Sequence, residues 1–188
     1  DDTRLEEAAA LELVEFFRGS ESRRATRLHV VLELAWHTGA RIEGMRALDL
    51  RDVHRDENYL EFKHRPDQGT PLKNKANGER PVAVPKATMD VIQEYIRIHR
   101  RDVHDDHGRQ PLLASMRGRP DPNTIRVWMY QATEPCLHSP CPHGKERETC
   151  EWTDYDQASK CPSSRSPHQV RTGSITWQLN IGIPPEVV

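Results

Sequence analysis

Apolar residues recur at helical spacing through the first third of the chain. Leu5, Ala9, Leu13, Phe16 and Phe17 form one stripe that predicts a helix over residues 5–17, with Gly19 as its stop. Leu28, Val31, Leu32 and Ala35 form a second, predicting a helix over residues 23–37. Thr38-Gly39 breaks that stripe, and Ile42, Met45 and Leu48 then mark a short third helix opened by Arg41. The period next shortens to two. Tyr59-Leu60-Glu61-Phe62-Lys63 alternates as a strand, and Val82 and Val84 share one face of a second strand over residues 80–84. The residues between are rich in Pro, Gly and Asn and predict a long hairpin loop carrying Lys73 and Lys75, while residues 50–53 can add a short third strand.

Helical spacing returns in Val91, Ile92, Tyr95 and Ile96, predicting a helix over residues 87–98. Asp121-Pro122-Asn123 has the chemistry of a helix start, leading into Ile125, Trp128 and Met129 and ending before Pro135. Residues 135–166 have few aliphatic side chains and predict no regular core element. The last helix covers residues 167–180, with Ile175 and Leu179 expected on its buried face, Gly182 as its stop and Pro184-Pro185 opening a further, incomplete helix. The fold class expected is α+β, mainly helical with a small antiparallel sheet. At 188 residues the chain suits one compact domain.

Composition changes this picture in two places. Charged residues make up 30% of the chain and apolar ones 35%, and no apolar run reaches membrane-spanning length, so a cytoplasmic protein with no membrane partner is expected. The net charge of −2 comes from the start, where residues 1–22 carry seven acids and two bases; the remainder is mildly basic. Lys160, Arg165 and Arg171 lie in a stretch without acids, a modest footprint for a polyanion. All four cysteines, Cys136, Cys141, Cys150 and Cys161, fall within 26 residues. Such local clustering without a secretory signal points to a structural zinc site before disulfides, with His138 and His143 as alternative ligands.

The candidate chemistry lies in a set of cations. Ser166-Pro167-His168-Gln169-Val170-Arg171 places a good N-cap and a first-turn proline ahead of His168 and Arg171, which share one helix face. A helix N-terminus favours an anion, and a guanidinium and an imidazole there suit phosphoryl transfer. Arg41 and a hairpin lysine complete a set that can neutralise a phosphate and move protons without a metal.

These residues resemble a family. Thr38-Gly39-Ala40-Arg41, leading into an apolar-spaced helix, is similar to the first arginine box of the tyrosine recombinases, or phage integrases. Lys75-Ala76-Asn77-Gly78-Glu79-Arg80-Pro81-Val82 resembles that family's lysine-bearing hairpin, and His168-Gln169-Val170-Arg171 resembles its second box, in the same order. The resemblance covers residues 5–188 apart from the cysteine-rich stretch, and is closest to archaeal integrases, some of which carry a similar insertion. It implies that residues 1–188 are a truncated catalytic domain interrupted by an insertion at 135–166, without the N-terminal core-binding domain or the C-terminal nucleophile segment. It implies a partner, double-stranded DNA, and a full-length protein working as a tetramer on it. Arg41 and Arg171 would clamp the scissile phosphate, His168 would assist proton transfer, and Lys75, with Lys73 as its nearest competitor, would protonate the leaving 5′-hydroxyl. The family's tyrosine attacks to form a 3′-phosphotyrosyl link.

The chain departs from the family pattern at three places. An acid three residues after the first arginine is replaced by Gly44, a histidine after the second by Thr172, and no tyrosine follows Arg171. Tyr59, Tyr95 and Tyr130 fit core packing, and Tyr155 lies in the insertion. The fragment alone is expected not to cleave DNA. A rival of another class is a non-catalytic, zinc-stabilised DNA-binding or regulatory protein built on the same fold. A phosphatase or nuclease would need a nucleophile or carboxylate metal site that the spacing does not supply.

Overall fold

A computed structural model describes residues 3–187. Among the described residues, five helices surround a buried sixth, and a three-stranded antiparallel sheet flanks them. The helices are α1 (Glu7–Gly19), α2 (Arg27–Thr38), α3 (Ile42–Ala47), α4 (Lys86–Glu94), α5 (Pro122–Ala132) and α6 (Pro167–Asn180), and α2 is the one the others enclose. Val30, Val31, Leu32, Leu34, Ala35 and Trp36 are all inaccessible, so α2 is apolar on nearly every side, as a helix in the middle of a bundle must be.

Two ionisable residues on α2, Glu33 and His29, are buried as well, which its apolar stripe did not reveal. Glu33 is held by His29 Nε2 at 2.8 Å, by Arg18 Nε of α1 at 2.7 Å and by Thr88 Oγ1 of α4 at 3.0 Å. Burial alone would raise the Glu33 carboxyl, but these donors bring it down to about 2. Burial pushes the neighbouring His29 below its ordinary value, against the pull of Glu33.

The sheet follows the chain in order: β1 (Val53–His54), β2 (Tyr59–Phe62) and β3 (Arg80–Ala83). In β2 and β3, Leu60 faces Val82 and Phe62 faces Arg80. Residues 50–53 are not a strand as expected. Leu50–Asp52 forms a 3-10 turn, because the carboxylates of Asp49 and Asp52 cap the backbone there, and only Val53 and His54 pair with β2. Tyr95 is buried as expected, whereas Tyr59 is half-exposed and stacks on His54 at 4.2 Å, and Tyr130 is also only half-buried. The expected helix over 87–98 stays α-helical to Glu94 and then widens into a π turn at Tyr95–His99, leaving Ile98 exposed. The second helix starts later than its apolar stripe implied, after a turn in which Ala25 takes φ 59°. Beyond Gly182, Pro184–Val187 makes a single turn.

The helix α6 is buried on a different face from the one expected. Val170, Gly173, Ser174 and Gln178 face inward, while Ile175 is half-exposed and Leu179 exposed. The docking contacts are small and polar, which is why the apolar pattern misplaced the face. Ser174 Oγ donates to the carbonyl of Trp36 at 2.5 Å, and Gln178 donates to Ser174 at 2.9 Å. A side chain at position 173 would strike the Leu5 carbonyl and crowd Trp36, so glycine lets residues ahead of α1 cross α6 there. Leu5 lies outside α1 and donates its N–H to Gln169 O at 3.1 Å.

Residues 135–166 contain only 3-10 turns, as their composition predicted. They pack on α5 through a small buried group of Leu137, Ala158, Cys161 and Ser164. Their two ends are stapled together: Arg165 N–H donates to Thr133 Oγ1 at 2.8 Å, and that hydroxyl donates to Met129 O at 2.9 Å. The chain therefore re-enters the helical bundle one residue before α6 from a fixed base. No helix among the described residues is long and apolar enough to cross a membrane.

Candidate phosphate-binding cleft

Arg41 stands at the N-cap of α3, where its carbonyl accepts from Met45 N–H at 3.1 Å. The turn before it is tightly specified. Gly39 ends α2 at φ 65°, a left-handed conformation suited to glycine, and Thr38 Oγ1 donates to Leu34 O while accepting from Ala40 N–H. A side chain at Gly39 would lie 3.3 Å from Gln178 Nε2 on α6, so α6 packs directly over this turn. That packing brings the two arginine boxes together.

The start of α6 forms a reciprocal capping box: Gln169 N–H donates to Ser166 Oγ at 3.2 Å, and Ser166 N–H to Gln169 Oε1 at 2.8 Å. Pro167 occupies the first turn, and His168 and Arg171 project from the same end of the helix. A cleft of about 350 Å³ opens between the segments and is lined by Arg41, Glu43, Lys73, Arg126, His168 and Arg171.

The structure thus brings together Arg41, His168 and Arg171 with Lys73. Lys75 is not on the cleft wall; it is exposed in a 3-10 turn of the hairpin loop with φ 53°. Of the two hairpin lysines, the competitor Lys73 is the one at the cleft.

The electrostatics are those of an unneutralised site. Burial, followed by the nearby Arg41 and Arg80 guanidiniums, lowers the proton affinity of Arg171; burial and Arg41 do the same to Arg80. Arginines stay charged through such shifts, so these are like charges held close together. The Nε of Arg171 is buried without a hydrogen-bond partner. A buried donor left unpaired costs free energy that an incoming acceptor recovers.

Sequence reasoning missed Arg80 and Arg126. Arg80 stood inside the hairpin motif, but nothing in its spacing showed that it would share a field with Arg41 and Arg171. Arg126 lies off the Ile125, Trp128 and Met129 face of α5, and only the placement of α5 beside α6 puts it at the cleft. The departures from the family pattern also acquire physical content. Gly44 packs against Phe62, whose ring a Cβ at that position would meet at 3.4 Å, an ordinary van der Waals contact. Thr172 spends its hydroxyl on His168 O at 3.0 Å, within its own helix. None of Tyr59, Tyr95, Tyr130 or Tyr155 lines the cleft.

The four cysteines are free thiols. Cys141 Sγ accepts from His143 N–H at 3.3 Å, Cys136 Sγ takes Arg147 at 2.9 Å, and the Ser163 and Ser164 N–H groups reach Cys161. Among the described residues, no three His, Cys, Asp or Glu side chains converge into a group that could hold a metal. Of the alternative ligands, His143 bonds Ser163 at 2.8 Å and His138 lies 3.9 Å from Glu12.

No family model and no curated protein matches this sequence. Comparison of the fold is informative. The structure of XerA recombinase superposes with a TM-score of 0.62 at 18% identity, over 96% of this chain and 50% of XerA. The Tn1549 transposon integrase in complex with a circular intermediate DNA gives 0.64 at 16%, over 97% and 55%. A lambda integrase dimer bound to a COC' core site gives 0.54 at 13%, over 98% and 55%. The chain spans about half the length of these proteins. The sheet and the helices around α2 together have the fold seen in these tyrosine recombinases and integrases.

Proposed function

We propose that this chain is the phosphate-binding part of a DNA strand-cleaving and rejoining enzyme, a tyrosine recombinase or integrase. The observation that carries the reading is the convergence of Arg41, Lys73, His168 and Arg171 from three distant segments onto one cleft. In this reading Arg41 and Arg171 bind the non-bridging oxygens of a DNA phosphodiester and stabilise the charge that grows on them during displacement. A tyrosine C-terminal to α6 attacks phosphorus, the bond to the 5′ oxygen breaks, and a 3′-phosphotyrosyl link forms. The 5′ oxygen leaves with a proton from the hairpin, where the cleft position favours Lys73 over Lys75; His168 relays protons at the attacking side. Rejoining reverses these steps. Assembly as a tetramer on DNA belongs to the same reading.

Binding of this chain to a duplex DNA, and covalent trapping on a suicide DNA substrate by a form extended through a downstream tyrosine, test the proposal. Arg41→Gln and Arg171→Gln should each abolish trapping without lowering the melting temperature. Normal trapping by either variant refutes its role. The rival reading, a non-catalytic DNA-binding protein of the same fold, would be shown by specific binding of the extended form with no covalent adduct.

Structural zinc in residues 135–166 is part of this proposal. A Cys136, Cys141, Cys150 and Cys161 shell would require Cys136 to exchange Arg147 for metal and Cys161, whose thiol burial pushes up, to give its proton up to the metal's charge. Metal analysis of purified protein should find one zinc per chain, lost with the cysteines; four readily alkylated thiols without zinc refute it.

A further inference from the structure

Arg80 opens β3 opposite Phe62, at the sheet end nearest the cleft. Its guanidinium lies over the Phe62 ring, 5.1 Å from the centroid, and donates to Gly78 O at 3.1 Å. These contacts hold the side chain half-buried. It lines a small recess with Arg41, Glu43 and Lys73, and those three residues also line the main cleft, so the recess continues the cleft toward the hairpin. Among the described residues, no carboxylate makes an ion pair with Arg41, Arg80 or Arg171.

Free in water, three guanidiniums would move apart. Here α3, β3 and α6 hold them in one another's field, and the fold accepts that repulsion. Two guanidiniums suffice to embrace the two non-bridging oxygens of one phosphodiester. The third sits beyond Arg41, in the recess and not on the main cleft wall. A nucleic-acid strand carries a phosphate at every nucleotide, so a strand seated between Arg41 and Arg171 offers further anions along its length.

The geometry points to Arg80 as an additional phosphate-contacting residue, which takes a backbone phosphate of the DNA strand distinct from the one held by Arg41 and Arg171. The inference rests on the phosphate-cleft reading above and adds a contact that the sequence motifs do not assign.

Salt dependence of DNA binding counts phosphate contacts. For a duplex DNA, log K should fall with log salt by a slope smaller by about 0.9 in Arg80→Gln than in the unsubstituted chain, with affinity reduced similarly on unrelated duplexes. Arg80→Lys should retain the slope. Arg80→Met keeps an apolar stem against Phe62 and should repeat the Arg80→Gln result, which provides the measurement if Arg80→Gln melts early. An unchanged slope in the neutral variants overturns the inference, whether affinity or melting temperature changes or not. If Arg41→Gln and Arg171→Gln lower the slope while the Arg80 variants do not, only the Arg80 role fails. Absence of salt-dependent DNA binding by the unsubstituted chain overturns both readings.

Discussion

Two arginine clusters in this molecule are built alike and end differently. In one, Arg65, Arg109 and Arg119 converge on Asp49, Asp52 and Asp105. Arg109 bonds Asp49 at 2.9 Å and Thr70 at 2.8 Å, and Arg119 bonds the Arg46 carbonyl at 2.6 Å. The side chains of Asp49, Arg109 and Arg119 are at most 5% exposed, and every charge has a counter-charge. Burial pushes the Asp49 carboxyl up, but hydrogen bonds from Arg109 and Arg119 more than reverse this. In the other, Arg41 and Arg171 line an open cleft and Arg80 the recess beside it; among the described residues no carboxylate is paired to any of them, and one buried nitrogen has no hydrogen-bond partner. The closed cluster ties the hairpin and the loop after α4 to the end of α3. The open one leaves its guanidiniums without ion pairs, and the difference separates an arginine that maintains the fold from an arginine available to a ligand.

The strongest test of this contrast is to remove the anion from the closed cluster. Asp49→Ala strands two buried guanidiniums and should cost about 3–5 kcal/mol, read by urea unfolding. A loss below about 1 kcal/mol would mean that water replaces the carboxylate and that the clusters differ less than their burial suggests. The mirror experiment comes next. Arg171→Gln in the open cluster should weaken DNA binding by about tenfold or more, as loss of a charge-assisted hydrogen bond of about 1.5–3 kcal/mol implies, while leaving unfolding unchanged or slightly harder. Coupled loss of stability and binding would place Arg171 in the fold's support.

Supplying an anion should have a smaller effect. Inorganic phosphate at about ten times its dissociation constant stabilises the folded state by about 1.4 kcal/mol. The gain should appear in the unsubstituted chain and in Arg109→Lys, and vanish in the Arg41→Gln, Arg171→Gln double variant. The finest distinction is in pH. Asp49 and Glu33 have folded-state carboxyls below their unfolded values, so their stabilisation is complete above those values and is lost as pH falls through the folded ones. Stability should therefore fall on acidification below about pH 4.5, and Asp49→Asn should flatten that limb. Arg41→Gln should leave the limb's slope as it is, since Glu43, the carboxylate on the cleft wall, makes no ion pair with Arg41.

Much of the fold was legible because local chemistry repeats it. The Asp121 and Ser166 caps, the Gly39 stop and the hairpin alternation each act through neighbouring residues, and each element formed near its expected place. The errors share a cause. The buried face of α6 is made by Gly173, Ser174 and Gln178, which contribute fit and hydrogen bonds where an apolar stripe was sought. The burial of Glu33 has no apolar signal either, because its partners Arg18 and Thr88 come from other helices.

For the candidate site, the sequence by itself determined which cations are present, their order along the chain and the local turns that display them. Those features depend on contacts within a few residues, which spacing encodes. Only the tertiary structure decided that Arg41, Lys73, His168 and Arg171 share one cleft, that Arg80 joins their field, and that Arg109 and Arg119 are neutralised while Arg171 is not. The charge of an arginine is written in the chain. Whether that charge meets an acid or an open cleft depends on which distant segments pack against it, here α6 over the turn at Gly39.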